Sequence, residues 1–312
     1  MDQATQNLTE HSRENAFVHP DARRGRGTVT NRAGRYERQR LTNADDGWDN
    51  LDKEPEVLRT QVLRDTTRGI LSRNQSPDIP FDRSINPYRG CEHGCVYCFA
   101  RPTHAFLGLS AGLDFETKIF VKPDAANLLE TELRKPNYRP QVIAMGTNTD
   151  PYQPLEKERK ITRSILEVLA RFKHPVSILT KSNLVTRDLD ILGPMAEQGL
   201  AKVSLSITTL DHRLARSMEP RASTPGRRLD AIKKLKAAGV PTGVMFAPAI
   251  PGLNDQEMEA VLEAAVDAGV DEGGYVVLRL PLEVKDLFQE WLAENTPHRA
   301  GRIMALIRSM ND

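Results

Sequence analysis

The sequence of 312 residues lacks the features of a membrane, secreted or disulfide-rich protein. It has only three cysteines, an odd number that does not suit a disulfide framework. No apolar run approaches the roughly eighteen residues of a membrane span, and no apolar signal-peptide stretch opens the chain. Aromatic residues make up 5% and the net charge is +1, unlike a dedicated DNA binder. We therefore expect a cytoplasmic protein with no membrane partner and one barrel-sized core plus an appendage.

All three cysteines lie in one short stretch, where Cys91, Cys95 and Cys98 have the spacing C-x-x-x-C-x-x-C. Three thiolates suit a four-iron, four-sulfur (4Fe-4S) cluster whose fourth iron stays open to bind a reactant. A structural zinc site is the alternative, but it needs four ligands from Cys and His. His93 is the nearby candidate, and it would be strained because it lies between two of the cysteines on the same tight loop. The ligand count therefore favours an iron-sulfur cluster.

This stretch resembles the radical S-adenosylmethionine (SAM) superfamily, whose signature has an aromatic residue before the last cysteine, here Tyr97. The flanking residues 84–90 (SINPYRG) and 149–154 (TDPYQP) resemble the spore photoproduct lyase-like branch. The resemblance covers residues 80 to 300 and implies two cofactors, a 4Fe-4S cluster and SAM. It also implies an electron donor such as a reductase, flavodoxin or ferredoxin. In such enzymes, an electron cleaves SAM to methionine and a 5′-deoxyadenosyl radical, which abstracts hydrogen from a substrate.

From residue 81 onward, strand-like apolar runs alternate with amphipathic helical patterns, which is typical of a parallel sheet of strand-helix units. One strand leads into the cysteines, and the others are predicted at 141–146, 176–181, 202–208, 240–247 and 273–280. An additional strand at 118–122 and a helix at 124–134 lie between the first two units. We predict an α/β fold in which residues 80–312 form a partial (βα)6 radical SAM barrel.

Residues 1–79 differ from the rest, because arginines between 23 and 40 give way to acidic residues between 45 and 56. Low hydrophobicity and blocky charge predict a largely disordered, poorly ordered N-terminal extension or a loosely docked arm. The apolar residues between Leu58 and Leu71 predict one short docked helix. The arginines could bind nucleic acid, although a solvated tail neutralised by its own acidic block is the simpler interpretation.

Several polar residues follow predicted strands, and in parallel barrels the chemistry lies on the loops at the strands' carboxyl ends. Thr149 and Asp150 follow the second strand, where Asp150 could anchor an amine or equally cap the turn before the next proline. Lys181 ends the third strand and could pair with a carboxylate. The family resemblance implies that Ser206 contacts the ribose or methionine moiety of SAM, and that residues 249–254 cover the adenine. The predicted SAM-binding residues are Tyr97, Thr149, Asp150, Lys181 and Ser206.

Arg221, Arg227 and Arg228 follow the fourth strand, where they could hold a carboxylate or phosphate or form a solvated helix start.

Three functions remain open at this point. The first is a radical SAM enzyme on an unidentified substrate, the second a lesion-repair lyase, and the third a non-catalytic zinc or iron-sulfur protein that binds nucleic acid. The repair lyases resembled here carry a hydrogen-donating cysteine where this chain has Thr147, so another donor would have to return the hydrogen, for example Tyr88, Tyr152 or Tyr275. We therefore expect the first function.

Overall fold

The computed structural model describes residues 17–37, 57–76, 79 and 81–310. Within them, the strands in chain order are β1 (Gln61–Arg64), β2 (Leu71–Arg73), β3 (Arg83–Ile85), β4 (Tyr88–Arg89), β5 (Lys118–Val121), β6 (Ile143–Met145), β7 (Val176–Thr180), β8 (Ala201–Ser206), β9 (Thr242–Ala249) and β10 (Glu272–Val277). The larger sheet has the order β10-β9-β8-β7-β6-β3-β2, and the smaller sheet has the order β1-β5-β4.

Six strands of the larger sheet (β3, β6, β7, β8, β9 and β10) run parallel and follow one another in chain order. They lie where the sequence predicted six strands, so the α/β class and the strand order expected of a partial barrel are confirmed. β2 pairs antiparallel with β3 at one edge. The additional predicted strand is β5, which belongs to the smaller sheet. Because the six strands are parallel, their carboxyl ends meet at one edge, and the loops there form the candidate site.

Helices alternate with the parallel strands and cover the sheet. The described α-helices are Leu113–Thr117, Ala125–Leu133, Glu156–Arg159, Ile161–Arg171, Leu189–Glu197, His212–Met218, Pro225–Ala237, Met258–Ala268, Glu283–Asn295 and Pro297–Ser309. Helix Ile161–Arg171 shows why this pattern forms, since Ile165, Leu166 and Leu169 recur at helical spacing and are fully buried against the sheet. None of the described helices is long and apolar enough to span a membrane.

Two local predictions are wrong. The apolar residues between Leu58 and Leu71 form β1 and β2 instead of a helix, because β1 pairs along β5 and places Val62 beside Ile119. The spacing of Asn254 and Glu257 also predicts a capping pair for the helix Met258–Ala268, but this helix is not capped by Asn254. Its side chain instead accepts from the Ile250 amide at 2.7 Å and donates to the Thr208 and Pro248 carbonyls, which fixes the loop after β9.

The described part of the N-terminal extension lies against the rest of the chain. Asn31 and Asp114 exchange two hydrogen bonds, at 3.0 and 2.9 Å, and Thr30 donates to Glu290 at 2.7 Å. Residues 17–37 are thus a docked arm, while residues 1–16 and 38–56, including the acidic block, lie outside the described residues. The domain boundary at residue 80 stays a prediction.

Candidate active site

The cysteine loop, residues 90–98, follows β4 and brings the free thiols of Cys91, Cys95 and Cys98 within electrostatic reach of one another. The first two thiols are buried and the third is half-buried. Gly94 lies between them with a φ of 69°, a backbone conformation that favours glycine. The loop can therefore turn tightly enough to direct three sulfurs to one region.

Backbone contacts fix this loop to the elements around it. The Cys91 amide donates to the Phe115 carbonyl at 2.9 Å, and the Val96 amide donates to the Met218 carbonyl at 3.1 Å. The fully buried Arg101 guanidinium donates to the Cys95 carbonyl at 2.9 Å. The loop is consequently preorganised by its neighbours.

The chemistry of the donors fits an iron-sulfur cluster. Burial raises the pKa of all three thiols, to about 12 for Cys95, and the positive charge of a bound iron-sulfur cluster would favour their thiolate forms. Among the described residues, no group of three or more His, Cys, Asp or Glu side chains is placed to hold a single metal ion. A 4Fe-4S cluster takes its ligands on separate irons and needs no such convergence. The same finding disfavours the zinc alternative, because among the described residues His93 does not join the thiols in such a group.

Asp150 lies at the carboxyl end of β6 and is saturated with donors. Its Oδ1 accepts from the Tyr152 amide at 2.8 Å and the Thr180 hydroxyl at 2.6 Å, and its Oδ2 accepts from the Lys181 amide at 2.8 Å besides facing His93. Burial alone would raise the pKa of this carboxyl, but His93 and these hydrogen bonds lower it to about 2. The bond from the Tyr152 amide corresponds to the turn-capping role that the sequence left open for Asp150. Because both carboxylate oxygens already have two partners each, a direct hydrogen bond from an amine to Asp150 would require one of these donors to leave.

Thr149, the other predicted residue on this loop, is buried, and its hydroxyl donates to the Tyr88 carbonyl at 3.0 Å. Asn86, which the sequence did not single out, holds the same loop. Its Oδ1 accepts from the Asn148 amide at 3.1 Å and from the Thr147 hydroxyl at 3.3 Å. The loop after β6 is thus built on the segment that leads into the cysteines.

Lys181 and Ser206 come together, as expected for residues at the ends of neighbouring parallel strands. Lys181 Nζ donates to Ser206 Oγ at 2.9 Å and lies 5.7 Å from the centroid of the Tyr97 ring. The Ser206 hydroxyl in turn donates to the Ala247 carbonyl of β9 at 3.1 Å. A cation and an adjustable hydroxyl therefore border the cysteine loop.

Glu219 is the main residue that sequence reasoning missed. This fully buried carboxylate accepts from the Tyr97 hydroxyl, from Thr208 at 2.6 Å and from the Arg228 guanidinium. Although burial would raise the pKa of Glu219, the charges of Arg228 and Lys181 and these hydrogen bonds lower it to about 2. Of the three arginines that follow the fourth strand, Arg228 is thus an internal partner and not a free anion ligand.

The fold and site together are a parallel α/β sheet with three free thiols on one loop beside polar side chains from the ends of β6, β7 and β8. Residues 85–265 match the Radical SAM superfamily, more than half of the chain. The protein belongs to that superfamily, whose members bind a 4Fe-4S cluster and SAM.

Relatives are found in bacteria and archaea. The uncharacterized protein Rv2578c of Mycobacterium tuberculosis is 39% identical over 232 residues, covering 74% of this chain and 68% of that protein. The uncharacterized protein MJ0683 of Methanocaldococcus jannaschii is 32% identical over 173 residues, covering 55% of this chain and 62% of that protein.

Solved structures of spore photoproduct lyase share the fold. A double mutant with bound AdoMet and dinucleoside spore photoproduct matches with a TM-score of 0.54 at 17% identity, and covers 74% of this chain. A Tyr-to-Phe mutant matches with a TM-score of 0.55, also at 17% identity, and covers 75% of this chain and 66% of its own. This chain spans 65% of the length of the first of these, and identity at this level shows the fold alone. The predicted resemblance is confirmed at the level of superfamily and fold.

Proposed function

We propose that the protein is a radical SAM enzyme in which Cys91, Cys95 and Cys98 ligate a 4Fe-4S cluster beside a SAM site. The observation that carries this proposal is the presence of three free thiols on one loop facing polar side chains from the ends of β6, β7 and β8. The bound cofactors supply one chemistry, the reductive cleavage of SAM to methionine and a 5′-deoxyadenosyl radical that abstracts hydrogen from a substrate.

The surrounding residues would bind and orient SAM. Lys181 offers an ammonium group for the carboxylate of SAM, and Ser206 can turn its hydroxyl from Ala247 toward the ligand. Tyr97 keeps its ring beside Lys181 because its hydroxyl is fixed to Glu219. Asp150 would act chiefly by holding the ends of β6 and β7 against the cysteine loop. No acid-base pair is required for radical formation, and the protein's part is to orient and shield.

Three tyrosines were considered as donors of the hydrogen atom that is returned after the radical step, and they differ in their accessibility. Tyr88 and Tyr152 are fully buried, and their hydroxyls donate to Glu156 and Asp188, so neither faces a substrate. Tyr275 is 62% exposed on β10 at the edge of the sheet. Of these three tyrosines, Tyr275 is therefore the one whose ring is open to a ligand, and we propose it as the hydrogen donor among them.

A DNA lesion is the second candidate substrate, favoured by the fold shared with spore photoproduct lyase. The arginines of the docked arm do not add to this case. Arg23 lies 2.7 Å from Glu294 and Arg35 lies 2.5 Å from Glu283, so both are neutralised by the helix Glu283–Asn295. These two arginines therefore pair with acids of this helix, and the acidic block that the sequence suggested as their partner lies outside the described residues.

The test is anaerobic reconstitution with iron and sulfide, reduction with dithionite, and chromatographic measurement of 5′-deoxyadenosine released from SAM. We expect product from the wild type and none from Cys95→Ala. Lys202→Met, near the amino-terminal end of β8 and partly exposed, is the control and should retain activity. A wild-type protein with a full cluster and no product under these conditions would refute the proposal. Repeating the assay with ultraviolet-damaged and undamaged oligonucleotides separates the two substrates, because a lesion lyase requires the damaged strand and binds it less tightly as salt rises.

A further inference from the structure

Two segments of the N-terminal extension, residues 26–28 and 58–60, lie directly against the first half of the cysteine loop. We propose that these segments, the arm clamp, are part of the cluster site, where they fix the backbone between Cys91 and Cys95 and cover it from solvent. The proposal deepens the proposed function and rests on it, since it takes this loop to be the cluster-binding loop. Three sets of contacts support it.

The first set runs through Glu116, which is fully buried beneath the loop. Its carboxylate accepts from the Gly27 amide at 2.8 Å and from both the amide and the hydroxyl of Thr28 at 3.0 Å. The same carboxylate accepts from the buried Arg101 guanidinium at 2.6 Å. One carboxylate thus joins the arm clamp to the residue that grips the cysteine loop, and a buried charge of this kind is stable only while these donors stay in place.

Arg101 carries the connection to the loop itself. Its guanidinium donates to the carbonyls of Gly94 at 3.1 Å and Cys95 at 2.9 Å, and also to Ala111 and Gly112. The carbonyls of Gly94 and Cys95 belong to the turn that positions the Cys95 thiol. Any displacement of Glu116 therefore moves the guanidinium that holds this turn.

The second set is steric. A Cβ added to Gly27 would lie 1.9 Å from the Gly94 carbonyl oxygen, which real Cβ atoms do not approach. The arm backbone thus packs onto the loop backbone with no room for a side chain between them. This close approach is possible only for glycine.

The third set holds Glu92, the residue that directly follows the first cysteine. Arg26 donates to the Leu58 carbonyl at 2.9 Å and to the Thr60 hydroxyl at 3.2 Å, which joins the two segments. Thr60 in turn donates to Glu92 at 2.6 Å, and Arg221 lies 3.1 Å from the same carboxylate. Glu92 directly follows Cys91, so the arm clamp holds the loop at residues 92 and 94.

The test measures the rate at which the apo-protein's thiols react with a chromogenic aromatic disulfide under anaerobic, non-denaturing conditions. Cys91 and Cys95 are buried, so their reaction requires the loop to open. We expect Gly27→Ala to raise the rate by about tenfold or more, because it displaces the backbone that donates to Glu116. Thr28→Val keeps the shape and removes one hydroxyl, so it should give a smaller increase of about three- to tenfold.

Matched controls separate the clamp from general loosening. Gly69→Ala adds a Cβ that meets nothing within 4 Å, and Thr131→Val removes an exposed hydroxyl bond on the helix Ala125–Leu133. Both should react at the wild-type rate. If Gly27→Ala does not fold, Thr28→Val alone decides the outcome. Wild-type rates in Thr28→Val and in any folded Gly27→Ala would overturn the proposal, as would equal increases in the controls.

The result is independent of catalysis, because it is read on apo-protein. Faster thiols in the arm variants together with no 5′-deoxyadenosine from the loaded wild type would leave the clamp standing and reject the proposed function. As a second readout, the loaded arm variants should lose their cluster absorbance in air several-fold faster than the wild type, whereas unchanged loss would contradict the covering role.

Discussion

Glu219→Gln tests whether the buried network behind the cysteine loop depends on a full negative charge. The pKa of this carboxyl falls from 4.5 to about 2, since Arg228, Lys181 and two hydroxyls favour its ionised form against the effect of burial. At about 1.36 kcal/mol for each pH unit, the charge contributes about 3 kcal/mol to the free energy of unfolding at neutral pH. Replacing the acid with its amide keeps the shape of the side chain and leaves Arg228 without a countercharge. Breaking a buried ion pair in this way generally costs roughly 3–5 kcal/mol, a second estimate of the same loss that agrees with the first.

The pH dependence has a definite sign. A carboxyl whose pKa is lowered by folding contributes its full stabilisation above the ordinary value of 4.5 and loses it as the pH falls toward 2. The difference between wild type and Glu219→Gln should therefore be about 3 kcal/mol at pH 7 and shrink to roughly half by pH 3.

The assay is urea unfolding of reduced apo-protein, followed by circular dichroism at several pH values. Glu263→Gln, at an exposed position of the helix Met258–Ala268, is the matched control and should unfold like the wild type at every pH. A difference for Glu219→Gln that stays below 1 kcal/mol, or that does not change between pH 7 and pH 3, would refute the reasoning.

Two further substitutions test the proposed SAM site, and a third tests the charge of Asp150. Lys181→Met should weaken SAM binding by about tenfold or more in calorimetry on the loaded protein, whereas Lys202→Met should not, and equal affinities would exclude Lys181 as a ligand. Ser206→Ala should weaken SAM binding by about three- to tenfold, because one hydroxyl bond is lost, and unchanged affinity would remove Ser206 from the site. Asp150→Asn should lower the free energy of unfolding of the apo-protein by about 2 kcal/mol above pH 4, with the loss shrinking as the pH falls toward 2, and a pH-independent loss would contradict the role of its charge.

The parts of the site that could be predicted are those with a local signal or a simple geometric rule. Cysteine spacing is visible in the sequence itself. Asp150, Lys181 and Ser206 could be grouped because each ends an apolar run, and neighbouring parallel strands bring such ends together. The order of six strands followed from the same periodicity.

The parts that could not be predicted depend on contacts between distant residues. Glu219 is one acid in a charged stretch, and only the fold brings it to a tyrosine 122 positions earlier. The polar contacts that hold the docked arm could not be predicted for a related reason. An argument from composition estimates only how much apolar area a segment can bury. This arm is held instead by buried, hydrogen-bonded polar groups such as Thr28 and Glu116, and the same argument would place such groups in solvent.

The docked arm also affects the order in which the protein can be completed during synthesis. Arg23 and Thr30 are made early, yet their partners Glu294 and Glu290 follow 271 and 260 residues later. At translation rates of roughly 5–20 residues per second, the first of these partners appears on the order of tens of seconds after the arm. The contacts of the arm with the helix Glu283–Asn295 therefore form last, and until that helix is made the growing chain can hold the arm to the cysteine loop only through earlier partners such as Glu116 and Glu92.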